Sequence, residues 1–489
     1  MNIEITKATV ISSLFWKFTE RMGVQGIQFV VSIILARILS PEDFGTIVLI
    51  TIFIAISGVL VQGGFNTALI QKRDVDDLDY SSVFYLNLFV SGLIYTGLFF
   101  ASPFIAEFYK EPQLVYVLRF LSLTLLFAPF NSIQNAVLGK KMHFKKLSIS
   151  NLGAIVISGT VGIVMAYCGY GVWALVLSQL TNQFFITLIL WFTVKWRPKL
   201  LFSVKRVKML FSFGWKLVAS ALIDTLYLNV QSLIIGKMFS PAMLGIYNKG
   251  EQFPSLIVSN INGSIQSVML PAMASNQDNK EKVKEMVRRS IVTSSFVIFP
   301  MMMGLAIVGE PLVRILLTEK WLPAVPFLQI FCASYALWPI HTTNLQAINA
   351  LGRSDIFLKL EIIKKVLGII ILGLSIPYGV YGMALGTLIG GIISSLINAY
   401  PNSKLLNYSI QEQWQDIIPS FILSVFMGAG VYAIKLLGFS DVFTLILQML
   451  IGIFFYFGMA QAYKLECFIY IVSTVKQILK RKKAVYLTK

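Results

Sequence analysis

Apolar residues run through this chain in long segments near 20 residues, separated by short polar stretches. A helix of that length spans the hydrocarbon core of a bilayer. The runs are continuous rather than alternating, which excludes a transmembrane barrel. In lipid the backbone must satisfy its own hydrogen bonds, so the spans are helices. Fourteen are predicted, roughly at 11–36, 45–66, 81–101, 115–138, 148–167, 170–193, 213–236, 248–272, 291–309, 326–350, 357–377, 380–400, 416–436 and 441–462. The first, seventh, eighth and tenth are unusually polar, close to the limit of what a hydropathy window alone detects.

One short stretch appears twice. Residues 40–45 read Ser40-Pro41-Glu42-Asp43-Phe44-Gly45, and residues 240–245 read Ser240-Pro241-Ala242-Met243-Leu244-Gly245. Each has the chemistry of a helix restart: Ser caps the new helix and Pro at its first position has a pre-set φ. Glu42 and Asp43 add negative charge where the helix dipole favours it. Val30/Val230, Ser32/Ser232, Ile34/Ile234 and the Arg37/Lys237 charge keep the same offset, and Pro129/Pro339, Gly169/Gly379 and Ala174/Ala384 share a slightly longer one. The chain therefore reads as two related six-helix lobes in parallel orientation, related by a pseudo-two-fold axis, plus two extra C-terminal helices. The expected division is an N-lobe at 1–193, a basic linker at 194–212, a C-lobe at 213–400, spans thirteen and fourteen within 401–465, and a basic tail at 466–489.

Composition supports the membrane reading. The chain is 56% hydrophobic and 13% charged, about half the charge of a soluble domain, which runs near 25%. Net charge is +18. The basic residues sit in short connections and no soluble domain carries them, so nucleic acid is not the expected partner. With the N-terminus inside, the inside segments hold 28 Lys and Arg and the outside loops 6. That bias predicts cytoplasmic N- and C-termini and an even number of spans. The tail Lys480-Arg481-Lys482-Lys483 is expected to lie against anionic lipid. The first nine residues are polar and no cleavage site follows a short apolar core, so the first helix should act as its own insertion signal. Cys168, Cys332 and Cys467 are scattered, without metal or redox spacing.

Polar side chains cluster on particular spans. Lys17, Arg21 and Gln28 share one face of span one, with Glu20 and Gln25 beside them. Ser220, Asp224, Tyr227 and Gln231 form one face of span seven. Span eight carries Asn248, Lys249, Glu251 and Gln252, span four Asn131, Gln134 and Asn135, and span ten His341 and Asn344. Intramembrane charge is costly and faces protein or water. These faces are expected to line a shared aqueous cavity between the lobes. The bland alternatives are that Lys17 snorkels, that Glu20 and Arg21 form a local ion pair, that His341 is a satisfied core group, and that the amides glue helices together. Asp224 has no basic neighbour on its own helix nearer than Lys216, so it needs a partner elsewhere or binds a cation or proton. Amides both donate and accept, which is what a hydroxyl-rich ligand such as a sugar requires. No catalytic motif, nucleotide-binding loop or metal cluster is present in the sequence, so an enzyme is not expected and any pumping draws on an ion gradient or the substrate's own.

The chain resembles the Wzx-type polysaccharide flippases, in the polysaccharide transport branch of the multidrug/oligosaccharidyl-lipid/polysaccharide superfamily, nearest to the colanic acid exporter group. The carrying residues are the run from Leu35 to Gly45, Ala68-Leu69-Ile70-Gln71-Lys72, Phe108-Tyr109, Gly171 to Val176, and Phe239-Ser240-Pro241 with Leu244-Gly245-Ile246-Tyr247. The resemblance implies a bacterial inner-membrane protein that moves an undecaprenyl-pyrophosphate-linked oligosaccharide from the cytoplasmic to the periplasmic leaflet by alternating access, beside a polymerase and glycosyltransferases of the same pathway. Lys17 and Arg21 would then attract the pyrophosphate. Gln28, Asn131, Gln134, Tyr227, Gln231, Asn248, Gln252 and Asn344 would hold the glycan. Glu20 and Asp224 would take a coupling H+ or Na+, with no other cofactor. A multidrug antiporter or a lipid II flippase of the same superfamily is the alternative reading. A polymerase or ligase is disfavoured by short outside loops, and a scaffold by its lack of need for buried charge.

Overall fold

The computed structural model describes residues 7–72, 74–473 and 476–477. The basic tail at 480–483 lies outside the described residues. The described residues form helices joined by loops, with no strand. The chain forms two compact units, Met1–Gly245 and Ile246–Lys489.

The first unit contains α1 (Lys7–Ile38), α2 (Pro41–Gln62), α3 (Phe65–Gln71), α4 (Asp77–Tyr109), α5 (Gln113–Leu121), α6 (Thr124–Lys140), α7 (Phe144–Tyr167), α8 (Val172–Thr193) and α9 (Val204–Met238). After α10 (Pro241–Ala274), which begins in the first unit, the second contains α11 (Lys280–Leu317), α12 (Val325–Ala336), α13 (Trp338–Ala350), α14 (Ser354–Ser375), α15 (Gly379–Leu405), α16 (Ile410–Lys435) and α17 (Asp441–Ala462). A short helix follows at 466–473. Division by packing differs from division by repeat: α9, the seventh predicted span, packs on α2, α3 and α4.

Among the described residues eleven helical segments are long and apolar enough to cross a membrane, and the chain is a multi-pass membrane protein. The polar first, seventh and tenth spans are among the eleven, because their apolar residues outweigh the polar stripe. The eighth, α10, is not among them, as expected of a helix carrying Asn248, Lys249, Glu251 and Gln252. α14 and α15, at predicted spans eleven and twelve, are also outside the eleven. Predicted spans four and ten are each broken in two, as α5 with α6 and α12 with α13.

Both copies of the duplicated stretch start helices. Asp43 N–H donates to Ser40 Oγ at 3.2 Å, and Ser40 N–H donates to the Asp43 carboxylate at 2.9 Å. In the second copy Met243 N–H donates to Ser240 Oγ at 3.1 Å. The two copies then touch. A Cβ on Gly45 would lie 1.6 Å from the Pro241 carbonyl oxygen, and one on Gly245 would lie 2.0 Å from that of Pro41. The contact is reciprocal, so its local symmetry is two-fold, and only glycine permits this backbone approach.

The linker between α8 and α9 is strapped onto the start of α4. Lys199 N–H donates to Ser81 Oγ at 3.1 Å and Ser203 N–H to Ser82 Oγ at 3.0 Å. Trp196 packs edge-on against Tyr80 and Phe84. Beneath it Asp79 is fully buried and meets Lys72 at 2.5 Å and Arg206 at 3.6 Å. Asp76 caps α4, and the Asp79 backbone N–H, with Arg206 further off, holds its carboxyl below the usual carboxylate range.

In the second unit α16 and α17 pack on α11, where the Tyr456 hydroxyl donates to the Phe296 carbonyl at 2.8 Å. Arg288 binds both Asp416 and Glu466 at 3.0 Å. The three cysteines are free thiols, Cys168 exposed and the others buried.

Candidate functional site

The polar face of α1 lines a cavity of about 440 Å3. Lys17, Glu20, Arg21, Gln25 and Gln28 form one wall, and Asn151 of α7 and Asn182 of α8 stand opposite. Small residues bring α1 and α7 together: a Cβ on Gly23 would meet Leu152 at 2.7 Å, and one on Gly159 would meet Val31 at 2.6 Å. Ser148 Oγ donates to the Trp16 carbonyl at 2.9 Å. Lys17 Nζ lies 5.1 Å from the centre of the Phe144 ring, so its ammonium is placed by a cation–π contact. Asn151 Nδ2 donates to Glu20 Oε1 at 2.5 Å. Lys17, Arg21 and Gln28 are exposed, while Glu20 and Gln25 are half-buried. Two cations against one carboxylate leave this cavity positive.

A second cavity of about 650 Å3 adjoins the first, and Asn151 and Ile186 belong to both. Its amides are Gln62, Asn66, Asn131, Asn135, Asn151 and Gln183, drawn from α2, α3, α6, α7 and α8. Asn131 Nδ2 donates to Gln183 Oε1 at 3.2 Å, and Thr187 Oγ1 donates to Asn131 Oδ1 at 2.9 Å. The buried oxygens Gln25 Oε1, Asn182 Oδ1 and Asn66 Oδ1 have no partner among the described residues. Such groups are costly inside a protein unless a ligand or water meets them. The chemistry offered is positive charge beside a field of hydrogen-bond donors and acceptors.

Of the predicted site residues, Lys17, Glu20, Arg21 and Gln28 meet in the first cavity and Asn131 in the second. Gln134, on the same helix as Asn131, is 1% exposed, and neither polar atom of its amide has a partner among the described residues. It lines neither cavity. Asp224 is exposed on α9, with Tyr227 and Gln231 half-buried; Leu217, Val218 and Ala221 are the α9 residues that reach the second cavity. Asn248 and Gln252 are half-buried on α10. Asn344 is placed differently from the expectation. It is fully buried, donates to Gln413 at 2.8 Å and accepts from Asn402 at 2.7 Å, so its amide serves packing in the second unit. His341 takes the bland reading too, 2.9 Å from Asn398 Nδ2.

Asn151, Asn182 and Gln183 escaped the sequence reading. Their signal was the interruption of spans five and six by amides, but nothing in a linear string says that these faces turn toward span one.

The helical architecture and two adjoining polar cavities define a membrane transporter fold. The chain belongs to the family described as polysaccharide biosynthesis protein, whose model matches residues 34–326. It is 27% identical over 440 residues to the teichuronic acid biosynthesis protein TuaB of Bacillus subtilis, spanning 88% of this chain and 90% of that one. It is 25% identical to the lipopolysaccharide biosynthesis protein WzxC of Escherichia coli, spanning 85% of each. The succinoglycan biosynthesis transport protein ExoT of Rhizobium meliloti is 24% identical over 75% of this chain and 74% of its own. Among solved structures, the lipid II flippase MurJ in an inward closed conformation superposes with a TM-score of 0.75 at 17% identity, over 93% of this chain and 98% of that chain. An inward-facing multidrug resistance MATE transporter gives 0.61 at 15% identity, over 81% and 99%.

Proposed function

We propose that this protein is an inner-membrane flippase that carries an oligosaccharide linked to undecaprenyl pyrophosphate from the cytoplasmic to the periplasmic leaflet, by alternating access. The observation that carries the reading is the pair of adjoining cavities in the first unit. One is positive through Lys17 and Arg21 and suits a pyrophosphate; the other is lined by amides and suits a glycan. Relatives named for teichuronic acid, lipopolysaccharide and succinoglycan support the substrate class. The lipid tail remains in the bilayer. Coupling to a proton or sodium ion is assigned in this unit to Asp224 and Glu20. A polymerase and glycosyltransferases of the same pathway are the proposed partners, and anionic lipid the partner of the basic tail. The cation excess in the first cavity weighs against a drug antiporter, whose organic cations would meet Lys17 and Arg21.

The test is flipping of a fluorescent lipid-linked oligosaccharide by purified protein in liposomes. Wild type should expose the glycan to a lectin outside, and the Lys17→Gln/Arg21→Gln double variant should flip slowly while folding normally. Unchanged flipping by the double variant removes the pyrophosphate assignment. Preference for lipid II, or for an organic cation, replaces the substrate class.

A further inference from the structure

Glu251 stands on α10 in the second unit, and the proposed function gives it no role. It is half-buried and accepts a short hydrogen bond from the Tyr335 hydroxyl of α12. Tyr335 also meets Ser255, one turn further along α10, and its ring packs 4.7 Å from that of Trp338. Among the described residues no lysine or arginine lies within ion-pair distance of Glu251. Apart from the exposed Glu281 in the first turn of α11, the other carboxylates on the long helices of this unit do have such partners, among them Glu310 with Lys435 at 2.6 Å, Glu361 with Lys364 at 2.5 Å and Asp416 with Arg288 at 3.0 Å. The titratable groups around Glu251 are Tyr335 from α12, and Tyr247 and Lys249 from its own helix. Lys249 is two positions away and so turned to another side of α10. It is 5% exposed, with its ammonium 5.5 Å from the centre of the Trp321 ring.

A carboxylate on a membrane helix without a basic partner must hold a proton or a cation for part of its working cycle. A metal cation needs more oxygen ligands than one carboxylate and two hydroxyls provide. No group of three or more His, Cys, Asp or Glu side chains is assembled among the described residues.

We propose that Glu251 is a proton-exchange site of the second unit, with Tyr335 as its positioning residue. A proton adds to the second carboxylate oxygen in one state of the cycle and leaves from it in another. The Tyr335 hydroxyl donates to Oε1 in both states, so the pair keeps its geometry while its charge changes. The inference rests on reading the protein as a secondary transporter, but part of its test does not.

Infrared difference spectroscopy on the full chain in lipid, without substrate, should show a carboxylic C=O band that titrates with pH. Glu251→Gln should remove it, and Tyr335→Phe should move it by deleting the hydrogen bond. A spectrum of Glu251→Gln identical to wild type overturns the proposal. In liposomes, an imposed pH gradient should accelerate flipping of the lipid-linked oligosaccharide by wild type. Glu251→Gln should lose most of that stimulation, the remainder resting on Glu20 and Asp224, and Glu251→Asp should keep more of it. Full stimulation in Glu251→Gln, or stimulation of wild type by a sodium gradient and not by a pH gradient, overturns it as well. If Glu251→Gln does not fold, Tyr335→Phe and Glu251→Asp carry both measurements. Failure of wild type to flip the lipid at all removes the proposed function, while the infrared band still decides the fate of Glu251.

Discussion

Asn151 joins the two cavities of the first unit, and its amide is committed to Glu20. A hydrogen bond to a charged group contributes about 1.5–3 kcal/mol. Asn151→Leu removes the donor and leaves the Glu20 carboxylate in a less polar wall. The expected result is a loss of thermal stability of that size in detergent, largely recovered in the Asn151→Leu/Glu20→Gln double variant. A double-mutant cycle reads the pair directly; additive losses would show that the two side chains do not depend on each other. The same logic separates Asn344 from Asn131. Both are amides on a broken span, but Asn344 is closed off by Gln413 and Asn402, whereas Asn131 stands in a cavity wall. An identical residue type in a corresponding place acquires a different role from its neighbours.

At the scale of elements, the linker before α9 is held by a buried ion pair rather than by its own regular structure. Asp79 is fully buried between Lys72 and Arg206, and the linker's Trp196 packs on the adjoining turn. Lys72 and Arg206 keep some contact with solvent, so removing the carboxylate costs less than the ~3–5 kcal/mol of a fully buried pair, but it leaves both cations without their shared partner. Asp79→Ala should therefore lower the melting temperature and speed proteolytic cleavage within 194–203, with less effect elsewhere. Cleavage at the wild-type rate would show that Trp196 and the two serines hold the strap unaided. The reciprocal contact at Gly45 and Gly245 belongs to this scale as well. A repeated hexapeptide is weak evidence by itself, yet each copy supplies a cap, a proline start and a glycine that admits the other copy's backbone.

For the whole molecule, the testable quantity is orientation. The excess of basic residues on one set of connections predicts that the loops at 139–147 and 194–212 face the cytoplasm, and that the turn at 318–324 faces the periplasm. Reporter fusions or cysteine labelling at these three places should give inside, inside and outside. Labelling of residues 194–212 from the periplasm would reverse the direction assigned to transport.

Periodicity and charge alone determined that this is a helical, multi-pass chain with a repeat, because bilayer thickness and backbone desolvation leave few ways to arrange such runs. The sequence also singled out the face of span one, since charges in an apolar helix are too costly to be incidental. The long helices were legible for the same reason, as was the break in span ten, where Pro339 stands in the first turn of α13; the break in span four was not, since Pro129 lies inside α6 rather than at the break. Only the tertiary structure decided which faces meet: it brought Asn151, Asn182 and Gln183 to the charges of α1, closed Asn344 into the core, set Glu251 against Tyr335, and placed α9 with the first unit. Which side chains share a cavity depends on helix rotation and on small residues such as Gly23 and Gly159 that allow close approach. That information lives in packing between segments far apart in the chain, where linear spacing has no reach.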